Sequence, residues 1–299
     1  MPRAGSSTRE RLVDLSFVAP VLVLLAVFLL YPLLYGLDLS LNRTSGFEVV
    51  EPIGLEHYAR ALLGDAVFRQ SLANTLALTA AAVVLQTGVG LVLAVLMSDS
   101  RVGRTFFSAI FAAPFVLASV AVGAVWGFIY SPFFGIVPSL GAALGFDTST
   151  FAPLADPSTA LWAIVVVLVW RYAGFASVIY LAAIQSIPRE YYEVGELEGI
   201  TWFGRLRRIT WPLLWPQTFA LALLTTIGTL RVFDLVSIMT AGGPDHATET
   251  VATHIYTTAF RSQDLGYAQA MATILMGVMI ALAIVEHRLM DPRARVATT

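Results

Sequence analysis

The chain has 299 residues, 57% hydrophobic and 13% charged, with a mean hydropathy of +0.76, a balance that excludes a water-soluble globular protein and places it in a bilayer. A net charge of −2, from 18 basic and 20 acidic residues, gives no global basic field and excludes nucleic acid as the partner. Cysteine is absent, which removes disulfides, thiolate nucleophiles and cysteine metal sites; lysine is absent too, which removes nucleotide hydrolysis by a P-loop.

A helix crosses the hydrocarbon core with about 20 mostly apolar residues. The first such stretch, 15–37, lies between Asp14 and Asp38. It exceeds the roughly 7–15 residues of a signal segment, and no small-residue cleavage site follows, so it reads as a retained span. The second is 70–98, between Arg69 and Asp99. The uncharged run 105–146 is too long for one helix, and Ser131-Pro132 with Gly135 predicts a span near 105–129 running into a loop. A fourth span at 159–183 carries Arg171, a fifth at 214–238 carries Arg231 and Asp234, and the last covers 265–285. The expected fold is therefore all-α: a six-helix transmembrane domain over 15–286, a polar loop at 185–212, and short terminal segments at 1–14 and 287–299.

Charge placement sets the orientation. With the N-terminus inside, Arg3, Arg9, Arg11, Arg101, Arg104, Arg189, Arg205, Arg207, Arg208, Arg288, Arg293 and Arg295 fall in inner segments. Only Arg43, Arg60, Arg69 and Arg261 fall outside, so both termini are expected in the cytoplasm. The outer loops near 42–69, 130–158 and 239–264 are long enough to contact another protein.

The inner loop between the fourth and fifth spans predicts two short helices. Pro188 suits a helix start, Glu190, Glu193, Glu196 and Glu198 follow it, and Gly199 suits a left-handed stop. Thr201 then caps a basic second helix on which Arg205 and Arg208, three apart, share a face, and Pro212 ends that helix or starts the fifth span.

Glu193, Gly199, Ile209 and Pro212 stand at the spacing of Glu-Ala-Ala, three residues, Gly, nine residues, Ile, one residue, Leu-Pro. On these residues the segment resembles the cytoplasmic loop of binding-protein-dependent ABC importer permeases, departing from it at Val194, Gly195 and Trp211. Glu198-Gly199 and Arg207-Arg208-Ile209-Thr210 are similar to the maltose-type sugar-uptake class, as are Gly54-Leu55-Glu56-His57-Tyr58, Asn74-Thr75, Phe233-Asp234 and Gly242-Gly243-Pro244. The resemblance implies a type I ABC importer permease fold with a cytoplasmic coupling helix. It further implies that Tyr192, Glu193, Val194, Gly195, Leu197, Glu198, Gly199, Arg205 and Arg208 dock in an ATPase groove, the glutamate facing a basic partner and the small residue at 195 permitting close contact. The implied partners are a cytoplasmic ATPase dimer that carries ATP and magnesium, a second homologous permease subunit, an extracytoplasmic solute-binding protein and a sugar. No cofactor is implied on this chain itself.

Charged or polar residues inside spans face protein or a water-filled cavity. Asn74, Gln86, Trp170, Arg171, Tyr172, Arg231, Phe233, Asp234 and Gln269 are accordingly the candidate solute pathway. Each has a structural alternative: Arg231 and Asp234, three apart on one helix, can pair with each other, Trp170 and Tyr172 can pack between helices, and the amides can bond across helices. His57, His246, His254 and His287 show no metal-ligand spacing, Gly88 and Gly90 read as helix-packing positions, and no catalytic constellation is present. The expected function is sugar or oligosaccharide import by alternating access. An anionic solute, suggested by two intramembrane arginines against one aspartate, and a six-span enzyme or channel are the alternatives.

Overall fold

A computed structural model of the chain describes residues 8–46, 48–99, 103–145 and 151–290. Arg3, Arg101, Arg293 and Arg295 of the charge argument, with residues 1–7 and 291–299 of the terminal segments, lie outside these.

Helix α1 runs through three consecutive segments, Thr8–Leu25, Ala26–Leu30 and Tyr31–Leu39, the middle one a single π turn. An antiparallel hairpin follows, β1 (Asn42–Ser45) and β2 (Glu48–Pro52), with an irregularity in register between Arg43 and Thr44. Helix α2 covers 56–64, and α3 (Ala66–Asp99) is 34 residues long. At 1.5 Å per residue α3 is about 51 Å long, well beyond a core of about 30 Å, so its ends stand clear of the hydrocarbon. Its start is fixed by Asp65, whose Oδ1 accepts from the Phe68 N–H at 2.9 Å, an ordinary N-cap.

The stretch expected as one span near 105–129 is two helices, α4 (Arg104–Val116) and α5 (Ser119–Ile129), bent by 98°. Pro114 takes one N–H out of the ladder, and Leu117 and Ala118 are extended, with φ −69°, ψ 144° and φ −62°, ψ 137°. The loop after it carries a short helix, α6 (Ile136–Ala143). Helix α7 (Ala160–Ser186) is unbroken and central, with 61% of its most apolar window buried against 33% for α3 and none for α1.

Two short helices follow, α8 (Arg189–Leu197) and α9 (202–213, a helix with a π turn at Leu206–Thr210). Leu214 breaks the path, and α10 (Trp215–Leu230) leaves at 66° to α9, with Pro212 and Pro216 each seated at a helix start where a missing N–H costs nothing. The expected span 214–238 is also interrupted. Helix α10 stops at Leu230, residues 231–233 are non-helical, and α11 (Asp234–Met239) begins afresh. Helix α12 (251–261) and the final α13 (Leu265–Met290) complete the chain. Among the described residues, four helices are long and apolar enough to cross a membrane, or six spans if each bent pair counts as one. This is a multi-pass membrane protein.

Helices α3 and α7 make the central pair, and glycine sets two of the separations. A Cβ on Gly90 would lie 2.6 Å from Ala176 Cβ, and one on Gly174 would lie 1.7 Å from the Phe111 carbonyl oxygen of α4. Gly88 meets nothing within 4 Å, so only Gly90 of the Gly-Val-Gly pair is a packing position. The buried apolar core divides into three parts around this pair: one with α5 and α11 (Leu78, Val122, Ile164, Leu235), one with α12 and α13 (Phe68, Val251, Met271), and one with α10 (Ala94, Tyr180, Leu221).

Candidate functional site

Helices α8 and α9 form a compact hairpin at the C-terminal end of α7. Glu190 sits in the first turn of α8, where the dipole favours an acid. The helix closes in a Schellman motif: Gly199, at φ +70°, donates to the Glu196 carbonyl at 3.0 Å, and Ile200 donates to that of Gly195 at 2.9 Å. Thr201 Oγ1 then accepts from the Gly204 N–H at 3.3 Å and starts α9. The hairpin is closed by an ion pair between Arg205 and Glu196, and by the hydroxyls of Tyr192 and Thr210 at 3.1 Å.

Gly195 is buried on the inner face of α8. A Cβ there would come 2.9 Å from Ile209 Cδ1 and 3.8 Å from Ile200 Cδ1. Its small size therefore lets α8 approach α9, and contact with an external partner at this residue is not what the geometry offers. Arg205 and Arg208 also do different work. Arg205 folds onto Glu196, while Arg208 borders a shallow depression with Glu198, Gly199 and Thr201. The outward face of α8 carries Tyr191, Val194 and Leu197 at three-residue spacing beside Glu190 and Glu193, and Leu197 is 89% exposed. Between the hairpin and the ends of α3, α4 and α7 lies a cavity of about 370 Å³ lined by Val95, Ser98, Gln185, Tyr192 and Arg205 among others.

The model of the family described as binding-protein-dependent transport system inner membrane component matches residues 86–296. The chain belongs to this family. It is 33% identical over 283 residues to the probable ABC transporter permease protein YurN of Bacillus subtilis, covering 94% of this chain and 96% of that one. It is 30% identical to the lactose transport system permease protein LacF of Rhizobium radiobacter, covering 96% and 97%. Its fold superposes with a TM-score of 0.81, at 20% identity and 96% coverage of both chains, on a chain from the crystal structure of a bacterial alginate ABC transporter in complex with an alginate pentasaccharide-bound periplasmic protein.

In this permease a second cavity, of about 300 Å³, opens among the spanning helices. Phe115 of α4, Tyr172 and Phe175 of α7, Gln86 of α3, and Leu224, Thr225 and Thr229 of α10 line it. Phe115 stacks on Phe175 with centroids 4.5 Å apart and meets Tyr172 edge-on at 5.8 Å. Gln86, 4% exposed, accepts from the Thr225 hydroxyl at 3.3 Å, and its Nε2 has no partner among the described residues.

Of the nine expected pathway residues, the cavity gathers only Gln86 and Tyr172. Arg171, 8% exposed, donates to Ser119 Oγ and to the Leu117 carbonyl, each at 2.7 Å, so it spans the bend between α4 and α5. Trp170 meets Trp126 edge-on at 5.4 Å. Asn74 Nδ2 donates to the carbonyls of His246 and Glu249 at 3.0 Å each. Gln269 packs against Gly36, and Phe233 against Tyr256 with centroids 5.0 Å apart. Arg231 and Asp234 do not share a helix, because the chain breaks between them; both are exposed, and no ion pair joins them among the described residues. Phe115, Phe175, Thr225 and Thr229 are cavity residues that the sequence alone did not single out. The only signal for them is their register on helices that must first be packed.

Proposed function

We propose that this permease is one of two related membrane subunits of an importer for a sugar or oligosaccharide, driven by ATP hydrolysis on a separate pair of cytoplasmic ATPase subunits that dock on the α8–α9 hairpin. The carrying observation is the outward face of α8, where Tyr191, Val194 and Leu197 stand exposed beside Glu190 and Glu193 on a capped hairpin. An apolar stripe with an acidic rim on a polar segment suits a protein partner. Pulling on this hairpin moves α7 and α10 together, since it joins their ends. The excess of arginine in the segments on the hairpin's side supports termini in the cytoplasm. An extracytoplasmic binding protein then delivers solute at the opposite end, and alternating access carries it through. ATP and magnesium stay on the ATPase.

The cavity supports the solute class. Rings of Phe115, Tyr172 and Phe175 offer faces to the apolar side of a sugar, and the unpaired Gln86 Nε2 offers a donor to a hydroxyl. Its lining holds no charged residue, and Arg171 is engaged at the bend, which favours a neutral solute over an anion. The lactose in the name of one relative, LacF, fits a neutral sugar, whereas the alginate of the superposable assembly is an acidic polysaccharide and supports only the wider carbohydrate class.

The test is uptake of radiolabelled neutral and acidic sugars by cells carrying the permease and its companions, with purification of the complex. Saturable uptake of a neutral sugar, and an ATPase that copurifies with wild type but is lost with Leu197→Asp, are the expected results. Uptake of acidic solutes alone, or no ATPase dependence, would overturn the reading. Gln86→Leu removes one hydrogen bond of about 0.5–1.5 kcal/mol and should raise KM by up to about tenfold.

A further inference from the structure

At the end of α3 remote from the hairpin, titratable side chains from four segments converge. His254 of α12 lies between two carboxylates, with Nδ1 3.3 Å from Glu249 Oε1 and Nε2 3.3 Å from Asp65 Oδ2. Asp65 is the cap of α3, and its Oδ2 also accepts from the Tyr267 hydroxyl of α13 at 2.7 Å. The second Glu249 oxygen faces His246 Nδ1. Behind Tyr267 stand His57, with ring centroids 5.7 Å apart, and Arg60, whose guanidinium lies 3.9 Å over the Tyr267 ring and pairs with Asp264 at 3.0 Å. The side chains of His254, Asp65 and Glu249 are only 14%, 17% and 9% exposed, so water does little to satisfy them.

A neutral imidazole has one donor and one acceptor nitrogen. With an ionised carboxylate at each nitrogen, only the imidazolium can donate to both. We propose that His254 is a proton-operated clasp: protonated, it ties α12 to the Asp65 cap of α3, and deprotonated it keeps the nearby Glu249 and gives up Asp65, freeing α12 from the start of α3.

The electrostatics agree with this geometry. Burial pushes His254 down, but its hydrogen bonds and charge attraction to Glu249 and Asp65 outweigh that and hold it above the ordinary histidine value of 6.5. Burial pushes Asp65 and Glu249 up, and the Phe68 N–H, Tyr267 and His254 for the first, His254 and His246 for the second, bring them below ordinary carboxylates. A raised histidine stabilises fully below its unfolded pKa and loses that contribution as pH rises through the folded one; a depressed carboxylate stabilises above its unfolded pKa and loses it as pH falls through the folded one. The clasp is therefore closed in a window bounded below by the two carboxylates and above by His254.

The chain has no cysteine, so two introduced at exposed sites, Leu63→Cys on α2 and Phe260→Cys on α12, take spin labels specifically. Distances between them are measured on the full chain, within its complex, in lipid nanodiscs from about pH 6 to about pH 9. The expected result is a narrow distribution at low pH that broadens reversibly with a midpoint above 6.5, the ordinary histidine value. His254→Gln should remove the titration, His246→Gln should keep it, and Asp65→Asn should move the midpoint to lower pH. A wild-type distribution unchanged with pH, a titration that survives His254→Gln, or an Asp65→Asn midpoint that does not move would overturn the proposal.

Discussion

Replacing Arg171 separates a structural role from solute recognition. Its guanidinium makes two 2.7 Å bonds, to Ser119 Oγ and the Leu117 carbonyl, across the point where α4 turns into α5. Interhelical hydrogen bonds in membranes average about 0.6 kcal/mol and reach about 1.7, so the pair is worth about 1–3 kcal/mol. Against this stands an insertion cost of about 2.5–3.5 kcal/mol for a mid-span arginine, which Arg171→Leu would relieve. The balance runs from about 0.5 kcal/mol of destabilisation to about 2.5 kcal/mol of stabilisation, so the variant should unfold no more than about 0.5 kcal/mol below wild type while its bend is no longer held. The informative measurement is a double-mutant cycle of Arg171→Leu with Ser119→Ala, read by thermal unfolding in detergent and by uptake. A coupling of about 0.6–1.7 kcal/mol is expected, with uptake reduced for all solutes alike because Arg171 does not line the cavity. Additivity within about 0.3–0.5 kcal/mol, or a changed solute preference, would refute the bend-anchor assignment.

Three further outcomes follow from the packing. Gly195→Val should destabilise the hairpin by about 1–3 kcal/mol and lower uptake, and Ile209→Ala in the same chain should restore part of both, since Ile209 Cδ1 lies 2.9 Å from the position of the new Cβ. Lack of rescue would place the Gly195 requirement on the partner instead. Gly174→Ala drives a methyl to 1.7 Å of the Phe111 carbonyl oxygen and should cost about 3 kcal/mol or more, measured as loss of folded protein in detergent. Gly88→Ala, with nothing within 4 Å, should stay within about 0.5 kcal/mol of wild type, and equal damage from both would contradict the α4–α7 contact.

The spans were legible because membrane crossing is a matter of apolar length, which needs no tertiary knowledge. The hairpin was legible because Pro188, Gly199 and Thr201 act on their own neighbours in the chain. The bend after Pro114 was not, since it is completed by Arg171 from another helix, and the break at 231–233 was hidden inside a hydrophobic run. The direction of Gly195 is hidden for the same reason: which face of α8 turns inward is decided by Ile209 of α9, not by α8 itself. Polarity within a span does not by itself mark the pathway: Arg171 and Asn74 fasten backbone carbonyls, while the cavity takes Phe115 and Phe175 beside Tyr172. His254 looked isolated because Asp65 stands 189 positions away in sequence.

Docking of the α8 face on an ATPase is open to a direct measurement. Leu197→Cys puts a single thiol on the chain at the most exposed of the hairpin's large apolar residues. Maleimide labelling of the transporter in inside-out vesicles should be slow while the ATPase subunits are bound and rise sharply once they are stripped away. Equal labelling in both states, or labelling only from the opposite side of the membrane, would contradict the account.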